Sequence, residues 1–265
     1  MSDDDDNQPS GAATLTRDQL IHMMTDMAEV RSVELKMTVP ADQRMAMSAL
    51  DLDPLRGKLR QVYFFDTPDL DLFKSGWVLR ARRTQGADAD TAVKLRPAIP
   101  NELPADVRSS RNLKIEMDVT RGSYVVSASL KGTRPSDAVQ EALRGERPLK
   151  RLFTKEQRSF FATRGSTEPG WDDLVPLGPI LVVFLKFTPR GLKRRLTIEQ
   201  WHYPGEVPLV EISTKATPHN AFEVFNESTG FLRIHGLSAS GAQEPKTRRA
   251  LEFYAKPIVD ARAEA

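Results

Sequence analysis

The sequence predicts an α+β fold: a closed antiparallel β-barrel of about eight strands, with a charged lumen and helices packed outside. Three observations lead there. Several short segments alternate with period two, apolar residues on one face and charged residues on the other. The positions on the polar face are nearly all Arg, Lys, Glu or Asp, with few of the Ser, Thr, Asn and Gln that dilute an ordinary water-facing sheet. Amphipathic helical patterns flank these segments and supply a cover for the apolar face. For one strand alone a solvated face is the simpler account. For the set, a barrel closed around the charges accommodates both faces, and about eight strands leave room for one small ligand.

Thr16-Arg17-Asp18-Gln19 reads as a capping box that opens a helix to about Ala28, with Leu20, Met23, Met24 and Met27 on its apolar side. Arg31 to Val39 is a strand with Ser32, Glu34 and Lys36 on one face; Pro40 ends it, and 41–50 suits a short helix. Val62-Tyr63-Phe64-Phe65 is strand-prone, and Asp66-Thr67-Pro68-Asp69 turns the chain. After Gly76, Trp77-Val78-Leu79-Arg80-Ala81-Arg82 sends two guanidiniums to the same side. Thr91 to Arg96 aligns Lys94 with Arg96, and Leu113 to Val119 aligns Lys114, Glu116 and Asp118. Between them, 97–112 reads as a proline-dotted loop long enough to move or to act as a lid.

Residues 121–130 suggest an irregular strand, 136–144 a short helix, and 149–161 one basic amphipathic segment. Ile180 to Phe187 is apolar and strand-like. Arg195, Thr197 and Glu199 then share a face, as do Glu211, Ser213 and Lys215. Two helices finish the chain, at about 218–234 and, shorter and basic, at 245–254. The expected organisation is an acidic solvated tail at 1–13, one domain at 14–258 and a C-terminal tail at 259–265.

Composition narrows the chemistry. The 265 residues are 40% apolar and 28% charged, with a net charge of +2, so no global basic field argues for nucleic acid. With no cysteine there is no disulfide, no thiolate metal site and no thiol nucleophile. No apolar run reaches the length of a membrane span, and a cytoplasmic protein without a membrane partner is expected. His22, His202, His219 and His235 lie apart, without metal-ligand spacing, and no P-loop, Gly-x-Gly-x-x-Gly or Gly-x-Ser-x-Gly motif is present.

The string Tyr63-Phe64-Phe65-Asp66-Thr67-Pro68-Asp69-Leu70-x-Leu72, followed after Gly76 by Leu79-Arg80-x-Arg82, resembles the CYTH superfamily, the triphosphate tunnel metalloenzymes. That group includes class IV adenylyl cyclases, thiamine triphosphatases and inorganic triphosphatases. The match runs in order from about Val33 to Phe253 and thins between Arg121 and Leu181. The family's first strand carries Glu-x-Glu-x-Lys; here Ser32-x-Glu34-x-Lys36 departs at the first position. Glu211-x-Ser213 likewise stands where many members have Glu-x-Glu.

The roles divide by charge. Lys36, Arg80, Arg82, Lys94, Arg96 and Arg195 suit a phosphate chain, the arginines gripping oxygens bidentately and the lysines acting as point charges. Glu34, Glu116, Asp118, Glu199 and Glu211 are hard oxygen ligands for Mg²⁺ or Mn²⁺. The resemblance implies the same roles, with Glu34, Glu199 and Glu211 as catalytic carboxylates, and it matches Lys246 to a lysine of the family's C-terminal helix. A metal-dependent hydrolase of inorganic triphosphate or another small triphosphate is therefore expected. The alternatives are a cyclase making cyclic AMP from ATP and, because of Ser32 and Ser213, a polyphosphate or nucleotide binder without turnover. Oligomeric state is left open.

Overall fold

The computed structural model describes residues 16–39, 43–238 and 245–264; the tail expected at 1–13 lies outside them. Among these residues nine strands form the frame: β1 (Ser32–Val39), β2 (Lys58–Asp66), β3 (Trp77–Thr84), β4 (Ala89–Leu95), β5 (Leu113–Thr120), β6 (Ser123–Arg134), β7 (Val175–Phe187), β8 (Leu196–His202) and β9 (Leu209–Ala216). The helices are α1 (Arg17–Ala28), α2 (Gln43–Ala49), α3 (Asp71–Lys74), α4 (Ala105–Arg108), α5 (Ala138–Leu143), α6 (Leu149–Leu152), α7 (Lys155–Ala162), α8 (Ala221–Ile234) and α9 (Lys246–Ala263).

The strands close into a barrel in the order β1-β5-β6-β4-β3-β2-β7-β8-β9, and β9 returns to pair with β1. Two expectations need correction. There are nine strands rather than about eight, and the barrel is not wholly antiparallel, because β1 and β5 run parallel, with Glu34 opposite Asp118. The β5–β6 hairpin enters between β1 and β4, a pairing of distant segments that no local periodicity encodes.

One face of the sheet is apolar and covered. Val33, Leu35, Tyr63, Phe65, Leu79, Ala81, Val93, Ile115 and Met117 are buried in one cluster with Met23 and Met27 of α1, Val139 of α5, and Phe160 and Phe161 of α7. A second cluster sets Ala46 and Met47 of α2 and Phe231 and Leu232 of α8 against Val39, Leu196, Ile198, Val210 and Ile212. Each fully buried side chain of this size contributes roughly 1.5–3 kcal/mol, so this face is the main source of cohesion.

Local signals explain the helix ends. Thr16 Oγ1 accepts from the Gln19 N–H while the Gln19 side chain accepts from the Thr16 N–H, the capping box expected for α1. The basic segment 149–161 is two helices, because a second capping box at Thr154 and Gln157 starts α7 afresh. Buried Gln157 then ties α7 to the barrel, accepting from Thr91 Oγ1 at 2.8 Å and donating to the Leu130 carbonyl at 3.0 Å. A Cβ at Gly132 would come within 2.7 Å of Thr154 Cγ2, so glycine is what lets α7 dock there. Segment 97–112 is anchored rather than loose, since Leu103 and Val107 are buried in the main cluster. The strand expected to be irregular at 121–130 is the twelve-residue β6, and α9 runs on to Ala263, well past Tyr254. No helix among the described residues is long and apolar enough to cross a membrane.

Candidate functional site

The turn before β3 positions the arginine pair. Asp66 accepts from the backbone N–H groups of Thr67, Leu72 and Phe73, at 2.8, 2.9 and 2.9 Å, which fixes the chain from β2 into α3. Gly76 has φ +85°, and a Cβ there would meet the Arg96 carbonyl oxygen at 2.9 Å. The Arg96 N–H donates to the Gly76 carbonyl at 2.8 Å, so glycine at this point locks Arg96 beside the start of β3.

Residues directly opposite each other in neighbouring strands share a face. Following that rule round the barrel, Glu34 lies opposite Asp118 on β5 and Lys215 on β9, and Lys36 opposite Ser213. Glu199 lies opposite Glu211. Lys94 and Lys114 both face Ser129, Arg82 faces Asp90, and Ala92 connects Arg80 to Lys131. The charged residues of nonadjacent segments therefore occupy one continuous face, opposite the face that α1, α2, α5, α7 and α8 cover.

The charges form three groups. Asp118 is the hub of the first, with Lys36 Nζ at 2.8 Å, Lys94 Nζ at 3.1 Å and an Arg96 nitrogen at 3.9 Å; Lys36 also approaches Glu34 at 3.4 Å. Burial works against ionising Asp118, but Lys36, Lys94 and Arg96 outweigh it and hold the carboxyl well below the usual range. Burial likewise opposes the charge on Lys36, and Glu34, Asp118 and Glu211 overcome it and raise its pKa. Lys94 is pushed down by burial, since the attraction of Asp118 is shared with two other cations.

In the second group, Lys246 at the start of α9 donates to both Glu199 and Glu211, the latter at 2.7 Å, and lies 5.2 Å from the Trp201 ring. Burial disfavours both charges, but mutual attraction raises the pKa of Lys246 and depresses that of Glu199. α9 is held in place by packing Ala250, Leu251 and Ala255 against Val62, Phe64, Trp201 and Leu209, the apolar end of the charged face. Glu116 belongs to a smaller third group, bonded to Lys215 and to Ser32 Oγ at 3.2 Å.

Opposite these lies an excess of cations. The Arg80 Nε is buried without a hydrogen-bond partner, and burial, reinforced by Arg82, pushes its pKa down to about 10. Lys131 is pushed down to about 8 by burial and by Arg80, Lys114 and Arg82. Arg60 approaches Glu199 at 3.5 Å, stacks on Phe184 at 3.4 Å and also has a buried, unpartnered Nε. Arg82 is better satisfied, its Nε 3.0 Å from Asp90.

The structure thus brings together Glu34, Lys36, Lys94, Arg96 and Asp118, with Glu211 near enough to Lys36 to support its charge and Glu199 opposite Glu211. Arg195, exposed immediately before β8, lies with Arg60, Lys215 and Lys114 around Lys186, whose pKa is pushed down by burial and then by these cations. Arg60, Lys131 and Asp90 were missed from sequence. Arg60 precedes the aromatic run that marks β2, and Lys131 follows a stretch that alternates poorly, although the Leu130-Lys131-Gly132 step in a longer strand would have exposed it.

Among the described residues no cluster of three or more acidic or histidine ligands is assembled for a metal. The donor chemistry nevertheless fits a hard divalent cation at Glu199 and Glu211. These carboxylates are register neighbours, and they already hold a cation between them, the ammonium of Lys246.

No protein-family model and no curated protein matches the chain. Solved structures do. A candidate adenylate cyclase from Bacillus halodurans superposes with a TM-score of 0.58 at 18% identity, over 83% of this chain and 97% of that one. A candidate adenylyl cyclase from Hippeastrum with a dominant triphosphatase activity gives 0.55 at 20% identity, over 81% and 92%. At these identities the likeness is one of fold, and it agrees with the barrel that the sequence resemblance implied.

Proposed function

We propose that the charged face lines the interior of the barrel and that the protein is a CYTH-type, metal-dependent phosphohydrolase of inorganic triphosphate or another small triphosphate. The observation that carries this reading is the Arg80 guanidinium, buried beside Lys131 and Arg82 with an unpartnered Nε and no carboxylate in ion-pair contact among the described residues, Asp90 and Glu199 offsetting its charge only from further away. An ion removed from water costs several kcal/mol unless compensated. A polyanion supplies that compensation here, and its length suits cations spread along one face from Lys94 to Arg60.

Arg80, Arg82, Lys94, Arg96, Lys36 and Lys131 would bind and orient the phosphates, with Arg195 meeting the chain at the exposed edge. Glu199 and Glu211 would hold Mg²⁺ or Mn²⁺ after Lys246 moves aside, and Glu34, Glu116 and Asp118 remain candidates to complete its shell. When bound, the ion supplies Lewis-acid neutralisation of phosphate oxygens. Glu34, whose ion pair to Lys36 is the longer of that lysine's two, would accept the proton of an attacking water. Water adds to the terminal phosphorus, the bridging P–O bond breaks, and pyrophosphate leaves with its charge spread over the arginines. The fold likeness to the Hippeastrum structure, named for a dominant triphosphatase activity, supports hydrolysis; both neighbours being named candidate cyclases keeps cyclisation as the second reading.

One assay tests both. The protein is incubated with triphosphate and with ATP, each with Mg²⁺ or Mn²⁺, and the products are resolved. Phosphate and pyrophosphate from triphosphate are expected. Cyclic AMP from ATP would transfer the proposal to the cyclase reading, and calorimetric binding without any product would leave a binder.

A further inference from the structure

Neighbouring strands alternate in direction except for β1 and β5, so the strand ends sort into two rims. One rim collects the starts of β1, β2, β4, β5 and β8 and the ends of β3, β6, β7 and β9. Its charges are mostly positive. The carboxylates there are already engaged, Asp90 by Arg82 at 2.9 Å and Glu116 by Lys215, whereas Lys114, Lys131, Lys186 and Arg195 make no ion pair among the described residues. These cations converge: Lys131 and Lys186 are both pushed down, by burial first and then by neighbouring cations, and Lys114 is one of those neighbours in each case. A cavity of about 360 Å³ opens at the same rim, with Arg82, Asp90 and Lys131 in its lining beside Asn112, Thr133 and Thr154. Towards the opposite rim, α9 packs over Phe64, Trp201 and Leu209.

We propose that the substrate of the charged face is a linear polyphosphate longer than three phosphates, one end held by Lys36, Lys94 and Arg96 and the rest leaving the barrel across the cationic rim. This rests on the charged face being a triphosphate site and extends the chain that it takes. Along β5, Lys114 lies four residues before Asp118, around which Lys36, Lys94 and Arg96 gather, about 13 Å at the rise of an extended strand. A long phosphate chain sets a negative charge beside the cations at both levels. Nucleic acid fits less well, because Phe184, the ring between Arg60 and Lys186, is already covered by the Arg60 guanidinium at 3.4 Å and offers no platform for a base.

The test is titration calorimetry in EDTA, which stops metal-dependent turnover, with triphosphate, a long linear polyphosphate and a single-stranded oligothymidylate. Both phosphates should bind saturably, the long one at least tenfold tighter per chain and with the steeper salt dependence. A double variant of exposed rim lysines, Lys114→Glu with Lys186→Glu, should lose that advantage while triphosphate affinity stays within about twofold and Tm is unchanged. Lys74→Glu with Lys256→Glu, an equal change of charge at exposed positions on α3 and α9, should keep it. An advantage due to net charge would fall equally in both variants, and one due to the many registers of a long chain would survive in both; either result overturns the proposal. So would equal affinity for the two phosphates, a rim variant that weakens triphosphate as much as the long chain, or oligothymidylate binding as tightly as polyphosphate. If triphosphate itself fails to bind, the reading of the site falls too; if triphosphate binds and the longer chain gains nothing, that reading stands and the extension alone falls.

Discussion

Replacing Arg80 by Met should make the unliganded protein more stable while weakening its grip on triphosphate. The guanidinium pKa falls from 12.5 to about 10 on folding, chiefly through burial and then through Arg82. At 1.36 kcal/mol per pKa unit this is a penalty of at most about 3 kcal/mol in the empty protein. Met keeps most of the side-chain stem and carries no charge, and the shorter chain gives back about 1 kcal/mol in lost contacts. The net gain of about 2 kcal/mol should raise Tm by about 4–8 °C in a domain of this size. Lost charge-assisted hydrogen bonds should weaken triphosphate about ten- to a hundredfold. Thermal unfolding with and without triphosphate reads both effects, since a ligand that binds only the native state stabilises it by RT ln(1 + [L]/Kd). A variant that melts below the native protein would show that Arg80 already has an anionic partner, and the argument from its isolation would fail.

Other perturbations probe the remaining groups. Lys131 has its pKa lowered to about 8, so near pH 8 a bound polyanion should draw a proton onto it; calorimetry in buffers of different ionisation enthalpy should show proton uptake, absent in Lys131→Met. For the empty fold the same shift makes this lysine a liability below about pH 8, relieved as pH climbs towards its unfolded value, because the unfolded chain then binds more protons. Lys246→Met should destabilise the fold by about 3–5 kcal/mol, by leaving Glu199 and Glu211 without their cation, yet tighten Mn²⁺ binding measured by electron paramagnetic resonance. Weaker Mn²⁺ binding would remove that carboxylate pair from the metal site. Asp118→Asn should cost about 3–5 kcal/mol at pH 7, since Lys36, Lys94 and Arg96 lose their common counter-charge. Because the folded Asp118 is depressed, its contribution is full above the unfolded pKa near 4 and is lost progressively as pH falls from there towards the much lower folded value; urea melts should show the gap between native and variant narrowing by about 1 kcal/mol from pH 7 to pH 3 without closing.

Much of this was legible before any coordinates. Period-two alternation correctly set Leu79 and Ala81 against Arg80 and Arg82, and Ile115 and Met117 against Glu116 and Asp118, because the pleat forces it. The capping box at Thr16 was readable for the same reason: its bonds lie within four residues. Pairing was not readable. That β1 runs parallel to β5 depends on contacts between Val33 and Met117, and nothing in either strand alone names the other. Side-chain partnership was equally hidden. Residue types identified Glu199 and Glu211 as carboxylates on one surface, but only the packing of Leu251 and Ala255 on Trp201 and Leu209 brings Lys246 between them. Arg60 escaped notice because β2 carries apolar residues on both sides, Phe65 towards the helices and Phe64 against Trp201, which erases the alternation that would have flagged it.

The seam between β1 and β9 sets Lys36 against Ser213, joining an early stretch of the chain to a late one. During synthesis, then, the first strand has β5 to lean on but waits for nearly the whole polypeptide before its other edge is sealed. Until that moment its free N–H and C=O groups are an invitation to neighbouring nascent chains. Shortened forms that stop before Leu209 would carry that open edge permanently, so premature termination should yield insoluble material rather than a weaker catalyst.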